Sequence, residues 1–331
     1  MMFKDLRVAC GALVTAAVLV GTGAEAKVTR YLTGNAADVN PTLYGPALNL
    51  GGGGPDVDPA IQWMIDQARG CTTCATKVDV VVIRATGTNG YNAPVAAMNG
   101  VDSVETLVVP SYNDANTLEV ETAVRNAEVV FFAGGDQCDY ITYYSGTRLQ
   151  RAVDAVWARG GTVGGTSAGA MVQGEHIYNA CSGSVYSDEA LANPYNRYMT
   201  FSKDFFLWPQ MDEVIVDTHF GQRDRMGRLM AFVARRIRDG YDATVMGLGI
   251  NEGTSVVVDR NGLATVMGAG PAYFVQGTHA PERCEPGVAL SYTDYRIWRV
   301  DAGGQFNLWT WPTSGYYLRS VNNGVLSASP Y

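Results

Sequence analysis

Short apolar runs alternate with stretches of helical spacing along most of this chain. Residues 47–54 read as a strand that enters a loop of four glycines. Residues 56–70 follow, with Ile61, Met64, Ile65 and Ala68 on one helical face. Residues 78–83, Val-Asp-Val-Val-Val-Ile, are nearly continuous in apolar character, as in a parallel strand buried on both faces. Further strands are predicted at 104–109, 128–132, 162–163, 212–216 and 245–250, and helices at 118–126, 141–159, from 168 onward and at 229–238. Regular strand–helix alternation implies βαβ units in a mostly parallel sheet flanked by helices. The period changes after residue 254. Residues 255–259, 263–267 and 272–276 then read as short antiparallel strands. The polar, aromatic stretch 181–206 reads as a loop or lid. Residues 286–331, rich in Tyr and Trp, read as added β structure or a surface flap.

In such a sheet the functional crevice lies beyond the carboxyl ends of the strands. Two loops are expected there. One is Gly134-Gly135-Asp136-Gln137. The other is Gly165-Thr166-Ser167-Ala168-Gly169, a G-x-S-x-G elbow that sets a serine on a sharp strand-to-helix turn. Neither glycine-rich loop has the spacing of a nucleotide-binding motif.

A serine nucleophile needs a base, and the base needs an orienting acid. Three histidines are available. His176, placed on the helix that the elbow opens, would lie ~13 Å along its axis and out of reach. His219 follows a strand and is preferred over His279, which sits in a loop near the C-terminus. Glu252 follows the strand 245–250 and is preferred as the acid, with Asp217 as rival. The chain order Ser167, His219, Glu252 differs from that of α/β-hydrolases, in which the acid precedes the histidine. The backbone amides of Gly135, Asp136 and Ala168 are candidates for an oxyanion site. Arg223, Arg225 and Arg228 invite a carboxylate, since arginine forks bind one with two hydrogen bonds. On helical spacing Arg225 and Arg228 share a face and Arg223 does not, so not all three are expected in the site.

Composition places this chemistry outside the cytoplasm. Lys4 and Arg7 precede an apolar run at 8–21, and Ala24-Glu25-Ala26 fits a cleavage site, so residues 1–26 read as a secretory signal peptide. The expected product is secreted or periplasmic. It would carry a domain over 27–285 and a β-rich extension over 286–331. A net charge of −8 without a basic block argues against nucleic acid or an anionic membrane as partner. Five cysteines follow the leader, and export favours pairing of some of them, with Cys71–Cys74 a candidate local bridge and Cys138–Cys181 a candidate long-range one; the sequence leaves the pairing open. Cys284 is the odd residue. No second C-x-x-C or paired histidine completes a zinc site, so no metal and no cofactor are expected.

Four strings in order, Gly134-Gly-Asp-Gln137, Gly165-Thr-Ser-Ala-Gly-Ala170, Asp217-Thr-His-Phe-Gly-Gln-Arg-Asp-Arg-Met-Gly-Arg228 and Asn251-Glu-Gly-Thr254, resemble the cyanophycinase family. That is a serine exopeptidase family related to aspartyl dipeptidase, on a class I glutamine amidotransferase-like α/β fold. The resemblance covers about residues 47–275. It implies hydrolysis of cyanophycin, a poly-aspartate backbone with arginine on each β-carboxyl, to β-Asp-Arg dipeptides. It further implies Ser167 as nucleophile, His219 as base and Glu252 as acid, with Gln137, Asp217, Arg223, Arg225 and Arg228 in the substrate pocket. The implied partner is thus a peptide or polymer; a homodimer is left open. Three features depart from the family: Thr218 stands where glutamine usually precedes the histidine, the chain is expected to be exported and carries cysteines whereas the storage polymer is intracellular, and the β-rich C-terminal part lies outside the shared region. A peptidase of the same fold on another exported peptide, or a non-catalytic binding protein, are the competing expectations.

Overall fold

The computed structural model describes residues 27–331, so the expected leader lies outside the described residues. In chain order the strands are β1 (Thr29–Gly34), β2 (Ala47–Gly51), β3 (Val78–Arg84), β4 (Val101–Val108), β5 (Val129–Phe132), β6 (Thr162–Thr166), β7 (His176–Tyr178), β8 (Phe201–Lys203) and β9 (Val214–Asp217). They continue with β10 (Val245–Ile250), β11 (Thr254–Val258), β12 (Leu263–Gly268), β13 (Ala272–Gly277), β14 (Tyr292–Val300), β15 (Gln305–Asn307), β16 (Tyr317–Asn322) and β17 (Val325–Leu326).

Two sheets result, ordered β1-β4-β3-β5-β6-β2-β11-β12-β15 and β17-β16-β14-β13-β10-β9-β7-β8. In the first, β4, β3, β5, β6 and β2 run parallel, and the remaining strands add antiparallel flanks. In the second, β7, β9 and β10 run parallel beside an antiparallel wing. This is the expected α/β class, with the parallel strands at the centre of the first sheet.

Burial explains the apolar runs. Val80 and Val82 of β3 pack against Ile61, Met64, Ile65 and Ala68 of the helix Asp58–Arg69. Val81 and Ile83 point the other way, into a core shared with the helices Leu118–Asn126 and Arg148–Ala158. The same core takes Val214, Val216, Leu248 and Ile250 from the second sheet. A strand covered on both sides has no polar face to alternate with. The helix Met226–Arg238 covers the far side of the second sheet, against Ile215, Val245 and Val275.

Three expectations change, and for residues 286–331 the first of two alternatives, added β structure, is the one found. The stretch 141–159 is two helices, Gln137–Tyr144 and Arg148–Ala158. Gly146 takes φ 72° between them, and the Thr147 hydroxyl accepts from the Gln150 amide to start the second. His176 is not on the elbow helix, which spans only Ala168–Met171. At Gly174 the backbone passes Val214 so closely that a Cβ would lie 2.7 Å from its carbonyl oxygen, and the chain enters β7 as a strand. The stretch 181–206 holds a short helix, Ser187–Ala192, and β8. Residues 286–331 are no flap: β14 and β16 widen the second sheet and β15 the first. Cys71 is bonded to Cys74 and Cys138 to Cys181, with Cys284 free and buried. Among the described residues no helix is long and apolar enough to cross a membrane.

Candidate active site

Ser167 follows β6 and caps the helix Ala168–Met171 with φ 53° and ψ −120°. A non-glycine residue at positive φ is costly, and such strain gathers where a side chain must be aimed. The elbow closes only because glycines flank it. A Cβ at Gly169 would stand 2.1 Å from the Phe132 carbonyl oxygen, and one at Gly165 2.6 Å from the Gly169 carbonyl carbon.

The serine meets its partners across the two sheets. Ser167 Oγ lies 2.8 Å from His219 Nε2, and His219 Nδ1 lies 2.5 Å from Glu252 Oε1. An ionised carboxylate only accepts, so Nδ1 carries the proton and Nε2 accepts from the serine hydroxyl. His219 follows β9, and its amide donates to the Gly52 carbonyl at 2.7 Å. Gly53 backs the ring, where a Cβ would fall 2.4 Å from Cε1. Glu252 stands between β10 and β11, its amide donating to Gln222 Oε1 at 3.0 Å. Burial pushes the His219 imidazolium pKa down, against the upward pull of Glu252. The resting base is therefore neutral near pH 7.

The two other histidines stand apart. His176 Nε2 is 2.6 Å from Asp242 Oδ2, and His279 bonds the carbonyls of Ala280 and Thr293. Glu175, His176 and Asp242 bring ligand atoms within 4.8 Å of one another, but the Lys203 ammonium already pairs with Glu175 and none of the three lines the serine's cavity.

That cavity, of about 290 Å³, is lined by Gly135, Asp136 and Gln137 and by Ala180, Gly183 and Ser184. Ser167, His219 and Thr218 face it, with all three arginines, Arg223, Arg225 and Arg228. The expectation that one arginine would point away fails because 218–225 is a loop. The helix starts only at Met226, and Asp224 at φ 47° bends the chain back.

The three arginines differ. Arg228 is buried and forks onto Asp217, with Nε to Oδ2 at 2.7 Å and Nη2 to Oδ1 at 2.6 Å. Its Nη1 donates to Ser184 Oγ and the Val185 carbonyl. Arg225 donates to the Thr218 carbonyl at 2.7 Å, and burial lowers its pKa to about 10, still charged at neutral pH. Arg223 stands at the rim, its side chain 54% exposed. Asp217 is fully buried behind the arginines and is not part of the cavity wall. Gly135 and Asp136 line the wall next to Ser167, Ala168 follows the serine, and Gln137 Nε2 reaches the Tyr178 carbonyl at 3.4 Å.

Gly53, Asn251 and residues 180–184 were given no role in the site from sequence. Asn251 Oδ1 accepts from the Gly221 amide at 2.8 Å and so ties the arginine loop to β10. Residues 180–184 could have been found through the candidate Cys138–Cys181 bond, since Cys138 adjoins Gln137.

The chain is similar to known proteins over most of its length. Over 216 residues the chain is 32% identical to a cyanophycinase from Nostoc sp., covering 63% of this chain and 67% of the relative. A cyanophycinase from Trichormus variabilis gives the same identity and coverage, and one from Geminocystis herdmanii is 28% identical over 197 residues, 59% of this chain and 63% of that one. The crystal structure of a peptidase from an acI-B1 Actinobacterium superposes with a TM-score of 0.56 at 18% identity, covering 81% of this chain and 98% of that one, which speaks for a shared fold. The model of peptidase family S51 matches residues 93–266, more than half of the chain and inclusive of Ser167, His219 and Glu252. The chain is a peptidase that belongs to peptidase family S51.

Proposed function

We propose that this peptidase is an exported serine exopeptidase that releases β-Asp-Arg dipeptides from cyanophycin. One observation carries the reading: the hydrogen-bonded Ser167–His219–Glu252 chain opens onto a cavity lined by three arginines. Relatives named cyanophycinase support the choice of polymer.

In the proposed mechanism His219 takes the Ser167 proton as Oγ attacks the backbone carbonyl of the terminal unit. Glu252 holds the ring and stabilises the imidazolium that forms. The amides of Gly135, Asp136 and Ala168 face the developing oxyanion. His219 then protonates the leaving amine, and water, deprotonated by the same imidazole, cleaves the acyl-enzyme. Arg223 and Arg225, which keep free donors, hold the aspartyl carboxylate. The expected result is β-Asp-Arg release by the wild type and none by Ser167→Ala, followed by chromatography of the soluble products. Equal release by both proteins would sink the reading.

A second reading, the same chemistry on a different exported peptide, draws on Thr218. Its hydroxyl is buried and unpartnered at the position where the resembled family usually carries glutamine. Turnover of another peptide from a substrate panel, with cyanophycin untouched, would select it.

A further inference from the structure

The family match ends at residue 266, yet a side chain far beyond it reaches the loop that carries the histidine and the arginines. The Tyr331 hydroxyl donates to Asp224 Oδ1 at 3.0 Å and accepts from the Met226 amide at 3.1 Å. A phenol can fill both roles at once. Burial and the Asp224 carboxylate push its pKa upward, so the hydroxyl keeps its proton. The Tyr331 ring stands nearly perpendicular to Phe220 and to Tyr273, with centroids 6.1 and 5.6 Å away. Phe220 follows His219 directly, and Met226 is the first residue of the helix that leads to Arg228. One tyrosine therefore touches both ends of the loop.

The loop needs an external hold. His219 and Asp224 both lie at positive φ, 49° and 47°, a conformation that residues other than glycine adopt only under constraint. The segment that brings Tyr331 in is itself fixed along β16. Tyr317 donates to the Pro330 carbonyl, and Arg319 Nε to that of Ser329, both at 2.7 Å. β16 in turn is paired to β14.

We infer that residues 317–331 act as a brace, with Tyr331 a positioning residue that sets Arg223 and Arg225 for the substrate carboxylate. The inference rests on reading those arginines as the substrate-binding wall. It gives the β-rich C-terminal part a task in the reaction without any atom of it touching substrate.

The test compares the full-length wild type with Tyr331→Phe and Tyr331→Ala. Three readouts are taken: kcat and KM on cyanophycin, amide hydrogen exchange over residues 218–226 without substrate, and thermal melting. The alanine variant should raise KM about five- to tenfold with kcat within about twofold, as expected for losing two hydrogen bonds and two ring contacts that hold a loop. Exchange at 223–226 should quicken while the rest of the chain and the melting temperature stay put. The phenylalanine variant keeps the ring contacts and should fall between. Unchanged exchange in the alanine variant would overturn the brace, and so would faster exchange everywhere with a lower melting temperature. Should the wild type leave cyanophycin intact, the substrate reading fails by itself, and the exchange readout still decides the brace.

Discussion

The state of His219 decides when the site can work. Its pKa is lowered, chiefly by burial, so the imidazole stays neutral to lower pH than an ordinary histidine. A base must be unprotonated to accept the serine proton. Activity is therefore full above that pKa and falls as pH drops through it. The acid limb of kcat/KM should have its midpoint below 6.5, the ordinary value. Glu252 pulls the pKa upward, so Glu252→Gln should move the midpoint lower still and reduce the plateau by about 10²–10⁴. A pH profile of both proteins checks this, and a wild-type midpoint above 6.5 would contradict it. The other two histidines separate by their surroundings: one is taken by a carboxylate, the other by two carbonyls.

At the level of elements, the loop 218–225 sorts its arginines by what stands behind them. Arg223→Ala should raise KM about five- to tenfold and leave the melting temperature unchanged, since the side chain is at the rim. Arg228→Ala leaves the buried Asp217 carboxylate with the Thr218 amide at 2.9 Å and Arg225 at 3.5 Å, without its two-pronged partner, and should cost about 3–5 kcal/mol in denaturant unfolding. A comparable stability loss in both variants would refute that division. The loop also shows where sequence reading reached its limit. The strand that leads into it was legible, because the continuous run Val214-Ile215-Val216 signals double-sided burial. So were Ser167, His219 and Glu252, each placed just past a strand. The orientation of three arginines was not, because it depends on a positive φ at Asp224 that no periodicity announces. β1 was missed for a related reason: its Thr-Arg-Tyr-Leu-Thr-Gly sequence is mostly exposed, and only its register with β4 makes it a strand. The break at Gly146 was visible as a Ser-Gly-Thr turn signal over residues 145–147, but was read through as helix.

Across the whole molecule, one covalent bond and two sheets hold the cavity. Cys138 adjoins Gln137 and Cys181 adjoins Ala180, so their disulfide ties together two segments that line the cavity. Replacing both by serine should lower stability by roughly 2–4 kcal/mol and raise KM. Serine at both Cys71 and Cys74, which lie outside the cavity wall, should leave KM as it was. Melting curves and kinetics of the two double variants decide the point, and equal KM values would speak against a clamp. The sheets matter in another way. Ser167 ends a strand of the first sheet and His219 a strand of the second, while Glu252 occupies the short step by which the chain crosses between them. The hydrogen-bonded relay is thus also a gauge of how the two sheets are aligned. The two sheets meet in a shared core, for instance where Phe274 of the second stacks on Phe306 of the first at 3.9 Å, and a substitution that shifts one sheet against the other there is expected to lengthen the serine–histidine distance. Turnover would then drift before unfolding is detectable, and this peptidase would report on its own internal alignment through its rate.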